Sequence, residues 1–432
     1  MRDEPLEKSS WSTQLWASGL DGQAGTVGAV SSKVPDSRRV NTACFTAVPE
    51  SPMELTLTDE QLMLRDMLAA YLLDNYSFDK RQAILADPLG WRPQIWKAFA
   101  SELGILGASF PEELGGISGG MIENMVIMTE LGKALVIEPY LSTVVIAGGF
   151  LKHSDHPASA DLITAIIGGE AIFAFAQAEP ESRYNLAAVR TAAVKQGSGW
   201  VLNGHKAVVI GAPYATHLVV SARTAGAERD RAGISIFIVE KSAKGLTTQD
   251  FATVDGNRAS EVFFNNVSLA EDALLGPLDN GLPLIERVVD EAILATCAEA
   301  CGVMQKLLSG TVEFTKQREQ FGVPISTFQV LQHRMVDMFM HVEQAEAMTF
   351  LASLEMEDAA GRARAVSATK VQVSRACRFI GQNSVQLHGG IGITDELMIG
   401  HFFKRATMIE NAFGNVDYHL RRYQALGLDT AA

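Results

Sequence analysis

The sequence lacks the features that mark a membrane protein, a nucleic-acid binder or a disulfide-bonded secreted protein. It contains no run of 18 or more apolar residues, so we expect no membrane-spanning helix. Its first 25 residues hold no apolar segment of the kind that a secretory signal needs. Acidic residues outnumber basic ones, 50 against 36, and the net charge of −14 excludes the basic surface that neutralises nucleic-acid phosphates. Four cysteines in 432 residues make no disulfide framework, so we expect a cytoplasmic protein.

Hydrophobic patterning divides the chain into four segments. Residues 1–52 are rich in Ser, Thr, Gly and Ala without a regular period, so we expect a flexible extension or an over-long gene start. Residues 53–170 and 278–432 place apolar side chains at helical spacing, whereas residues 171–277 hold short runs rich in β-branched residues. The predicted fold class is α+β, with an N-terminal helical domain, a middle antiparallel β domain and a C-terminal four-helix bundle.

The middle segment is expected to be an antiparallel sheet for two reasons. No helical crossover of useful length separates its strand-like runs, which excludes a series of βαβ units. In addition, the dipeptides Asn203-Gly204 and Asp255-Gly256 are typical of tight hairpin turns.

Two local motifs are candidates for contact with a flat or anionic ligand. The glycine-rich run Gln386–Gly392 follows a helix rather than a strand, so it is not a dinucleotide-binding turn; it either lets a ligand approach the backbone or simply ends the helix. Arg318 ends another long helix, where it either binds a pyrophosphate or remains a surface residue. Cys297 and Cys301 lack partner ligands, so we expect core packing and no metal site.

Taken in order, several short motifs resemble those of the acyl-CoA dehydrogenase family over about residues 55–425. They are Asp59-Glu60-Gln61, Phe110–Gly116, Ala178-Glu179-Pro180, Asn203–Lys206, Arg318–Gly322, Phe328-Gln329, Gln386–Gly392 and Lys404-Arg405. The resemblance implies an acyl-CoA substrate, FAD bound across a dimer interface, and electron-transfer flavoprotein as the acceptor. It implies a reaction in which a carboxylate removes the α-proton of the thioester while flavin N5 accepts the β-hydride.

The resemblance also implies two sets of FAD contacts. One set would contact the adenosine-diphosphate part of a neighbouring subunit's FAD, and comprises Arg318, Gln320, Phe321, Phe328, Gln329, Leu331, Gln386, Gly389 and Gly390. The other set would contact the chain's own flavin, and comprises Gln177, Ala178, Ile210 and Asn415. Because the first set is well kept, we expect an oligomer.

The catalytic position departs from the family pattern. Phe413 stands where the family has its usual glutamate base, and its side chain has no proton acceptor, although its backbone N–H can still polarise a carbonyl. Ala292 stands at the family's second location for the base. The nearest carboxylates are therefore the candidate bases, with helix-surface charge or CoA contact as the alternatives: Asp290 and Glu291. Substrate contacts implied by the resemblance are Asp290, Tyr184 and Gly414.

The flavin side of the site departs as well. Arg183 and Tyr184 replace small and phosphate-binding residues, and Val208-Val209-Ile210 replaces a stretch with a ring-stacking Trp and a Thr that hydrogen-bonds the flavin. Contacts to a neighbour's FAD are thus kept, while contacts to the chain's own flavin are eroded. This asymmetry looks most like the small subunit of pimeloyl-CoA-type heteromeric dehydrogenases, which act on dicarboxylyl-, aromatic- or steroid-side-chain CoA thioesters.

Three hypotheses follow from the sequence. The chain is a dehydrogenase subunit that is completed by a paralogue in an α2β2 assembly. Alternatively, it is a self-sufficient dehydrogenase whose base has moved to Asp290 or Glu291. As a third possibility, it is a protein of the same fold with altered chemistry, or a partner subunit without catalysis of its own.

Overall fold

The computed structural model describes residues 57–429, and the predicted extension at 1–52 lies outside this range. The described chain runs from helices through a sheet to a second set of helices, which confirms the predicted fold class. The described residues form one compact unit. Among the helices of residues 57–429, none is long and apolar enough to cross a membrane.

Six α-helices and a π-helical turn form the N-terminal part. The helices are α1 Asp59–Asn75, α2 Phe78–Ala86, α3 Pro93–Ser101, α4 Met121–Ala134, α5 Gly148–Lys152 and α6 Ser159–Ile167. Helix α1 begins after Thr58 in a capping box, in which Gln61 N–H donates to Thr58 Oγ1 at 3.3 Å and Thr58 N–H donates to Gln61 Oε1 at 3.0 Å. The π-helical turn Leu141–Ala147 leads directly into α5, and such turns are frequent at functional sites.

Eight strands form one mixed sheet. They are β1 Phe173–Ala176, β2 Ala192–Gln196, β3 Gly199–Ile210, β4 His217–Arg223, β5 Ile234–Glu240, β6 Leu246–Ala252, β7 Arg258–Leu269 and β8 Leu274–Leu275. Their order is β6-β7-β3-β2-β4-β5-β8, with β1 beside β4. Most pairs are antiparallel, as predicted, but β1 and β2 both run parallel to β4, with Phe173 opposite His217 and Ala192 opposite Arg223. The parallel pairing of β1 with β4 is possible because the β2–β3 hairpin intervenes in the chain between them.

One of the two predicted hairpin turns is wrong. Asn203 and Gly204 lie inside β3, where the pairing with β7 shifts register, instead of forming a turn. The turn that joins β2 to β3 lies earlier, at Gly197 and Ser198, and Gly197 supplies the positive φ of +63° that such a turn needs. The other predicted turn, at Asp255-Gly256, does connect two paired strands, β6 and β7.

The C-terminal part is built around one central helix. Its helices are α7 Leu282–Gln317, α8 Gln329–Leu354, α9 Arg362–His388, α10 Met398–Asn411 and α11 Val416–Asp429, with a small hairpin of β9 Glu319–Gln320 and β10 Val323–Pro324 between α7 and α8. Helix α9 packs against the other four helices. Cys297 and Cys301 are buried free thiols in α7, which confirms the expected core role. In the described chain no cluster of side chains could hold a metal ion.

Candidate active site

A cavity of about 500 Å³ lies where the helical parts and the sheet meet. Its walls come from α4 and the π-helical turn, from the β1–β2 connection and the end of β3, from the β6–β7 turn, and from α7, α10 and α11. Ligand pockets occur preferentially at such junctions, because several elements can each contribute a few side chains. The cavity is therefore the candidate active site.

An apolar wall of this cavity comes from the end of β3. Val208 and Ile210 line the cavity and are 49% and 43% exposed, which is high for aliphatic side chains next to a sheet core. The register shift between Lys206 and Val209 gives Val208 a φ of +52°. An exposed aliphatic surface inside a cavity indicates contact with an apolar ligand.

A buried ion pair holds the neighbouring wall in place. Lys206 Nζ donates to the carbonyl oxygen of Gln177 at 3.1 Å and to Glu179 Oε1 at 2.7 Å. Burial lowers the pKa of Lys206 to about 8, although Glu179 favours its charged form. Burial acts to raise the pKa of Glu179, but the Lys206 charge and two backbone N–H donors outweigh it and lower that pKa. Two predicted flavin contacts, Gln177 and Ala178, thereby lie on the cavity wall.

A second charged cluster closes the cavity between α7, α10 and the β6–β7 turn. Arg405 donates to both oxygens of Glu299 at 2.6 Å and to Asp255 Oδ2 at 2.7 Å. Burial acts to raise the pKa of Asp255, but the Arg405 charge and hydrogen bonds lower it overall. Arg405 of the motif Lys404-Arg405 thus has a structural explanation. Of its two partners, Glu299 carried no signal in the sequence and Asp255 was identified only as part of a turn.

Four carboxylates line the cavity within the described residues, and three of them pair with arginine. Glu299 and Asp255 bind Arg405, and Glu286 accepts two bonds from Arg231 Nη2 at 2.8 and 2.9 Å. Glu138 is different. Its Oε1 accepts a hydrogen bond from the backbone N–H of Arg92 at 3.2 Å. Within the described chain, no Lys, Arg or His side-chain nitrogen lies within 4 Å of the Glu138 carboxylate oxygens. Burial raises the pKa of Glu138, and sequence reasoning did not identify this residue.

The two predicted bases lie outside the cavity lining. Asp290 is 2% exposed and its Oδ1 lies 2.7 Å from Arg422 Nη1. Burial raises the pKa of Asp290, and Arg422 partly offsets this. Glu291 is paired with His153 Nε2 at 2.7 Å; burial would raise the pKa of Glu291, but His153 and nearby cations lower it overall.

The periodicity of α7 explains this placement. The α7 residues that line the cavity are Glu286, Val289, Ile293, Thr296 and Glu299, which repeat every three or four residues along one face. Asp290 and Glu291 follow Val289 by one and two residues, so they are rotated about 100° and 200° around the helix axis. Proximity in sequence to the missing base therefore does not bring them to the cavity. Their catalytic role stays a prediction without support from the geometry.

Phe413 lies on the cavity wall, between α10 and α11. Its φ of +55° is unusual for a residue with a side chain, and its backbone N–H has no hydrogen-bond acceptor within the described chain. The next two residues do not line the cavity. Gly414 packs against Tyr418 and His419, and Asn415 Oδ1 accepts the Tyr418 N–H at 3.0 Å, so Asn415 caps α11.

Tyr184 connects the β1–β2 connection to α11 across the cavity. Its ring centroid lies 5.5 Å from that of Tyr418, and both rings line the cavity. Its neighbour Arg183, which also lines the cavity, has a φ of +48° and makes no ion pair in the described chain. The replacements noted in the sequence thus place an aromatic pair and, within the described chain, an unpaired cation on the cavity wall.

The residues predicted to contact a neighbour's FAD do not line the cavity. Arg318, Gln320 and Phe321 lie at the end of α7 and on the small hairpin, and Phe321 is 91% exposed. The other six, at the α8 start and the α9 end, are exposed or half-buried: Phe328, Gln329, Leu331, Gln386, Gly389 and Gly390. A Cβ atom placed on Gly389 or Gly390 would have no neighbour within 4 Å. These residues form an open surface on the chain.

Comparison with known families accounts for this arrangement. Models for the N-terminal, middle and C-terminal domains of acyl-CoA dehydrogenases match residues 58–170, 174–267 and 279–425 in that order. The chain belongs to the acyl-CoA dehydrogenase family. Members of this family are FAD-dependent oxidoreductases that act on CH–CH bonds, and the chain is one of them.

Individual relatives cover nearly the whole patterned chain. The chain is 27% identical over 364 residues to "Probable acyl-CoA dehydrogenase YngJ" of Bacillus subtilis (strain 168), covering 83% of this chain and 95% of that protein. A solved steroid ACAD, designated Tcur3481-Tcur3483, matches with a TM-score of 0.78 and 27% identity over 87% of this chain and 99% of that one. Butyryl-CoA dehydrogenase from Megasphaera elsdenii shares the fold, with a TM-score of 0.80 and 22% identity over 87% and 100%.

One wall of the cavity offers an apolar surface to a flavin ring, although the ring-stacking Trp and the Thr of the family pattern are replaced here. Val208 and Ile210 offer an exposed apolar wall that a flat ring system can cover. The backbone beside Gln177 and Ala178 is held rigidly by Lys206. These residues would hold the ring system, and the open surface around Gly389 would accept the other end of an FAD bound to a neighbouring subunit.

Proposed function

We propose that this chain is one subunit of a heteromeric FAD-dependent acyl-CoA dehydrogenase, and that a paralogous subunit carries the catalytic base. The observation that carries the proposal is Phe413, which lies on the cavity wall where the family has its glutamate and offers no proton acceptor. A base must be able to reach the α-proton of the thioester. Position 413 of this chain therefore cannot supply the base that starts the reaction.

The pairing of the cavity carboxylates with arginine supports this proposal. A carboxylate that accepts hydrogen bonds from an arginine has its oxygens occupied by that partner, which makes it a poor proton acceptor. This describes Glu299, Asp255 and Glu286. Only Glu138, among the carboxylates of the described cavity wall, has no cationic partner.

The exposed residues around the β9–β10 hairpin also support the proposal. In a heteromer the task of this chain is to complete the FAD site of its partner, and the residues for that task lie open at the surface. Arg318 can offer its planar guanidinium to a phosphate, and Phe321 is exposed enough to cover an adenine or ribose. FAD, when bound, takes the hydride from the β-carbon of the substrate.

The substrate class and the acceptor follow from the resemblance and from one relative. One solved relative, 27% identical to this chain, is named as a steroid ACAD, and its designation Tcur3481-Tcur3483 joins two components. We therefore propose a CoA thioester with a bulky acyl group, of the dicarboxylyl, aromatic or steroid-side-chain class. Electron-transfer flavoprotein is the proposed electron acceptor, and the proposed domains are residues 53–170, 171–277 and 278–432.

The first test is the flavin content and activity of the chain with and without its partner. The chain is purified alone and after co-expression with an acyl-CoA dehydrogenase paralogue that has the usual glutamate, and FAD per chain and acyl-CoA-dependent dye reduction are measured. We expect a colourless, inactive chain alone and a yellow, active complex. A lone chain that is yellow and reduces the dye would overturn the proposal.

A pair of variants tests the surface contribution. Arg318→Ala should lower the FAD content of the complex, since it removes a phosphate contact. Lys316→Ala is the matched control, because Lys316 lies on the same helix end and pairs only with the exposed Glu313. Equal FAD content in both variants would contradict a role for Arg318.

The relocated base remains the second candidate, and Glu138 is the observation that favours it. A carboxyl whose pKa is raised by burial is closer to that of an efficient base near neutral pH. If the lone chain does turn over, Glu138→Gln, Asp290→Asn and Glu291→Gln identify the base. Loss of the true base should lower kcat by about 10²-fold or more, whereas the other two variants should leave it nearly unchanged.

A further inference from the structure

The connection between α2 and α3 contacts three side chains of the cavity wall. The Arg92 N–H donates to Glu138 Oε1 at 3.2 Å, and the Tyr214 hydroxyl donates to the Gly90 carbonyl oxygen at 3.2 Å. The Arg258 guanidinium lies against Gly90, where a Cβ atom would come within 2.6 Å of Arg258 Nε. All three side chains line the cavity, although they come from the end of α4, the β3–β4 connection and the start of β7. We call this part of the cavity, formed by Glu138, Tyr214 and Arg258, the Gly90 subsite.

One oxygen of Glu138 is buried without a hydrogen-bond partner. Glu138 is 5% exposed, and its Oε2 has no partner within the described chain, whereas its Oε1 accepts the Arg92 N–H. Burial raises the pKa of this carboxyl, and backbone N–H groups and the Tyr76 hydroxyl offset this only in part. A buried acceptor without a donor costs free energy, so such atoms are rare in folded proteins. Glu138 Oε2 is therefore an acceptor that a ligand in the cavity can satisfy.

Arg258 brings hydrogen-bond donors to the same subsite. Its guanidinium makes no ion pair and no hydrogen bond within the described part of the chain. Its position is nevertheless defined, because its carbonyl oxygen accepts the Gly211 N–H at 3.0 Å and its side chain occupies the space that Gly90 leaves open. Gly90 has a φ of +69°, which also favours glycine there. A guanidinium can only donate, so the Gly90 subsite offers donors beside the unpartnered acceptor of Glu138.

We infer that the Gly90 subsite binds a hydroxyl group on the acyl part of the CoA thioester. A hydroxyl can donate to Glu138 Oε2 and accept from the Arg258 guanidinium at the same time. A methyl group satisfies neither side chain, a carbonyl cannot donate to Glu138, and a carboxylate would place a second negative charge beside it. The inference rests on the proposed function, since it takes the ligand to be an acyl-CoA, and it narrows the substrate class to acyl groups that carry a hydroxyl.

A matched set of probes tests the inference through binding alone. Straight-chain CoA thioesters of increasing length are prepared with a methyl, a hydroxyl or a carboxylate end. Each carries sulfur in place of the β-carbon, so that it cannot be dehydrogenated. Calorimetric titration of the full chain gives the Kd of each probe. At the length that binds best, we expect the hydroxyl-ended probe to bind at least about 10-fold more tightly than the methyl-ended probe, because its new hydrogen bonds are to charged groups. We also expect it to bind more tightly than the carboxylate-ended probe.

Paired variants assign this preference to the two side chains. Glu138→Leu should abolish it, while Glu138→Gln should keep part of it, since the amide oxygen also accepts a hydrogen bond. Arg258→Met should abolish it as well, and Arg258→Lys should keep part of it, since the ammonium also donates. Arg229→Met is the control, because Arg229 is exposed on the β4–β5 connection and does not line the cavity. The Arg258 pair still decides the question if Glu138→Leu fails to fold.

The methyl-ended probe separates a lost contact from a damaged fold. Damage to the cavity would weaken the binding of both probes, whereas a lost contact weakens only the binding of the hydroxyl-ended probe. Equal affinity of wild type for the two probes, or no binding of either, would overturn the inference.

Tighter binding of the carboxylate-ended probe than of the hydroxyl-ended probe would overturn the inference too, because Glu138 would then be protonated. None of these results bears on the heteromer, which is tested by flavin content and dye reduction. Conversely, a lone chain that reduces the dye would overturn the heteromer, and the preference for the hydroxyl end would still be measured.

Discussion

At the scale of single residues, Arg405 links three parts of the cavity wall. It joins α10 to Glu299 of α7 and to Asp255 of the β6–β7 turn through three hydrogen bonds between 2.6 and 2.7 Å. Asp255 is 3% exposed and Glu299 is 5% exposed, so neither carboxylate could be left without a partner. The arginine is thus needed because the two carboxylates are buried.

Replacement of this arginine should strongly destabilise the protein. Arg405→Met would leave two buried carboxylates unpaired, and we expect a loss of about 3–5 kcal/mol in the free energy of unfolding. Urea denaturation at pH 7 measures this loss. Lys404→Met is the control one residue away, because its partner Asp395 is exposed and the pair should contribute little. A similar change in both variants would contradict the prediction.

The effect of Arg405→Met should also depend on pH. The pKa of Asp255 lies below its usual value of 3.8 in the folded chain, so the unfolded chain binds a proton more readily. The pair therefore stabilises the fold fully above about pH 4, and this contribution is lost as the pH falls through the folded pKa. Urea curves at low pH should show a smaller difference between wild type and Arg405→Met than at pH 7. A difference that grows in acid would disprove this sign.

At the scale of elements, the β1–β2 connection depends on a charge inside the sheet. Lys206 of β3 is fully buried and reaches back to Gln177 and Glu179, and Glu179 in turn accepts from the N–H groups of Arg190 and Thr191. One lysine and one glutamate thus fasten both ends of the connection. This connection carries Gln177, Ala178 and Tyr184 to the cavity.

Loss of Lys206 should loosen this connection. Lys206→Met leaves Glu179 buried without its cation, and we expect a loss of about 3–5 kcal/mol in stability. Amide hydrogen exchange should accelerate most in residues 177–191, where the two ends are released. Lys195→Met serves as the control, since Lys195 lies on β2 of the same sheet and pairs with the exposed Glu271. Unchanged exchange in residues 177–191 would refute the anchoring role.

At the scale of the whole molecule, the exposed apolar residues indicate association. Phe321 is 91% exposed, and its ring approaches only that of Phe328, at 6.2 Å, among the ring contacts of the described chain. In an isolated chain, an exposed phenylalanine at a hairpin tip leaves its apolar ring in water. A partner subunit would bury this ring. The proposed heteromer gives this side chain a function.

A change at Phe321 should therefore weaken assembly without unfolding the chain. We expect Phe321→Asp to reduce co-purification with the paralogue and to lower the FAD content of what remains, because the charge would be buried at the interface. Light scattering after size-exclusion chromatography gives the assembly state, and the thermal midpoint of the lone chain should stay the same. Leu73→Asp on α1, where Leu73 is 79% exposed, is the control outside the predicted surface. Equal assembly of both variants would argue against the surface.

The sequence predicted the elements well where the information was local. The start of α1 follows from Thr58 and Gln61, and the β6–β7 turn follows from Asp255-Gly256, because each depends on residues that are close in the chain. Asn203-Gly204 was misleading for the opposite reason: its backbone is paired with β7, some sixty residues later, and this pairing overrides the local turn preference.

The sequence by itself determined the family, the order of the domains and the absence of a carboxylate at Phe413, since these depend only on which residues occur and in what order. The tertiary structure decided which charges lie at the cavity. It turned Asp290 and Glu291 away on α7, and it brought Glu138, Asp255 and Glu299 to the wall from three different elements. Such groupings arise from the packing of helices and strands that are far apart in the chain, and no local pattern of residues encodes them.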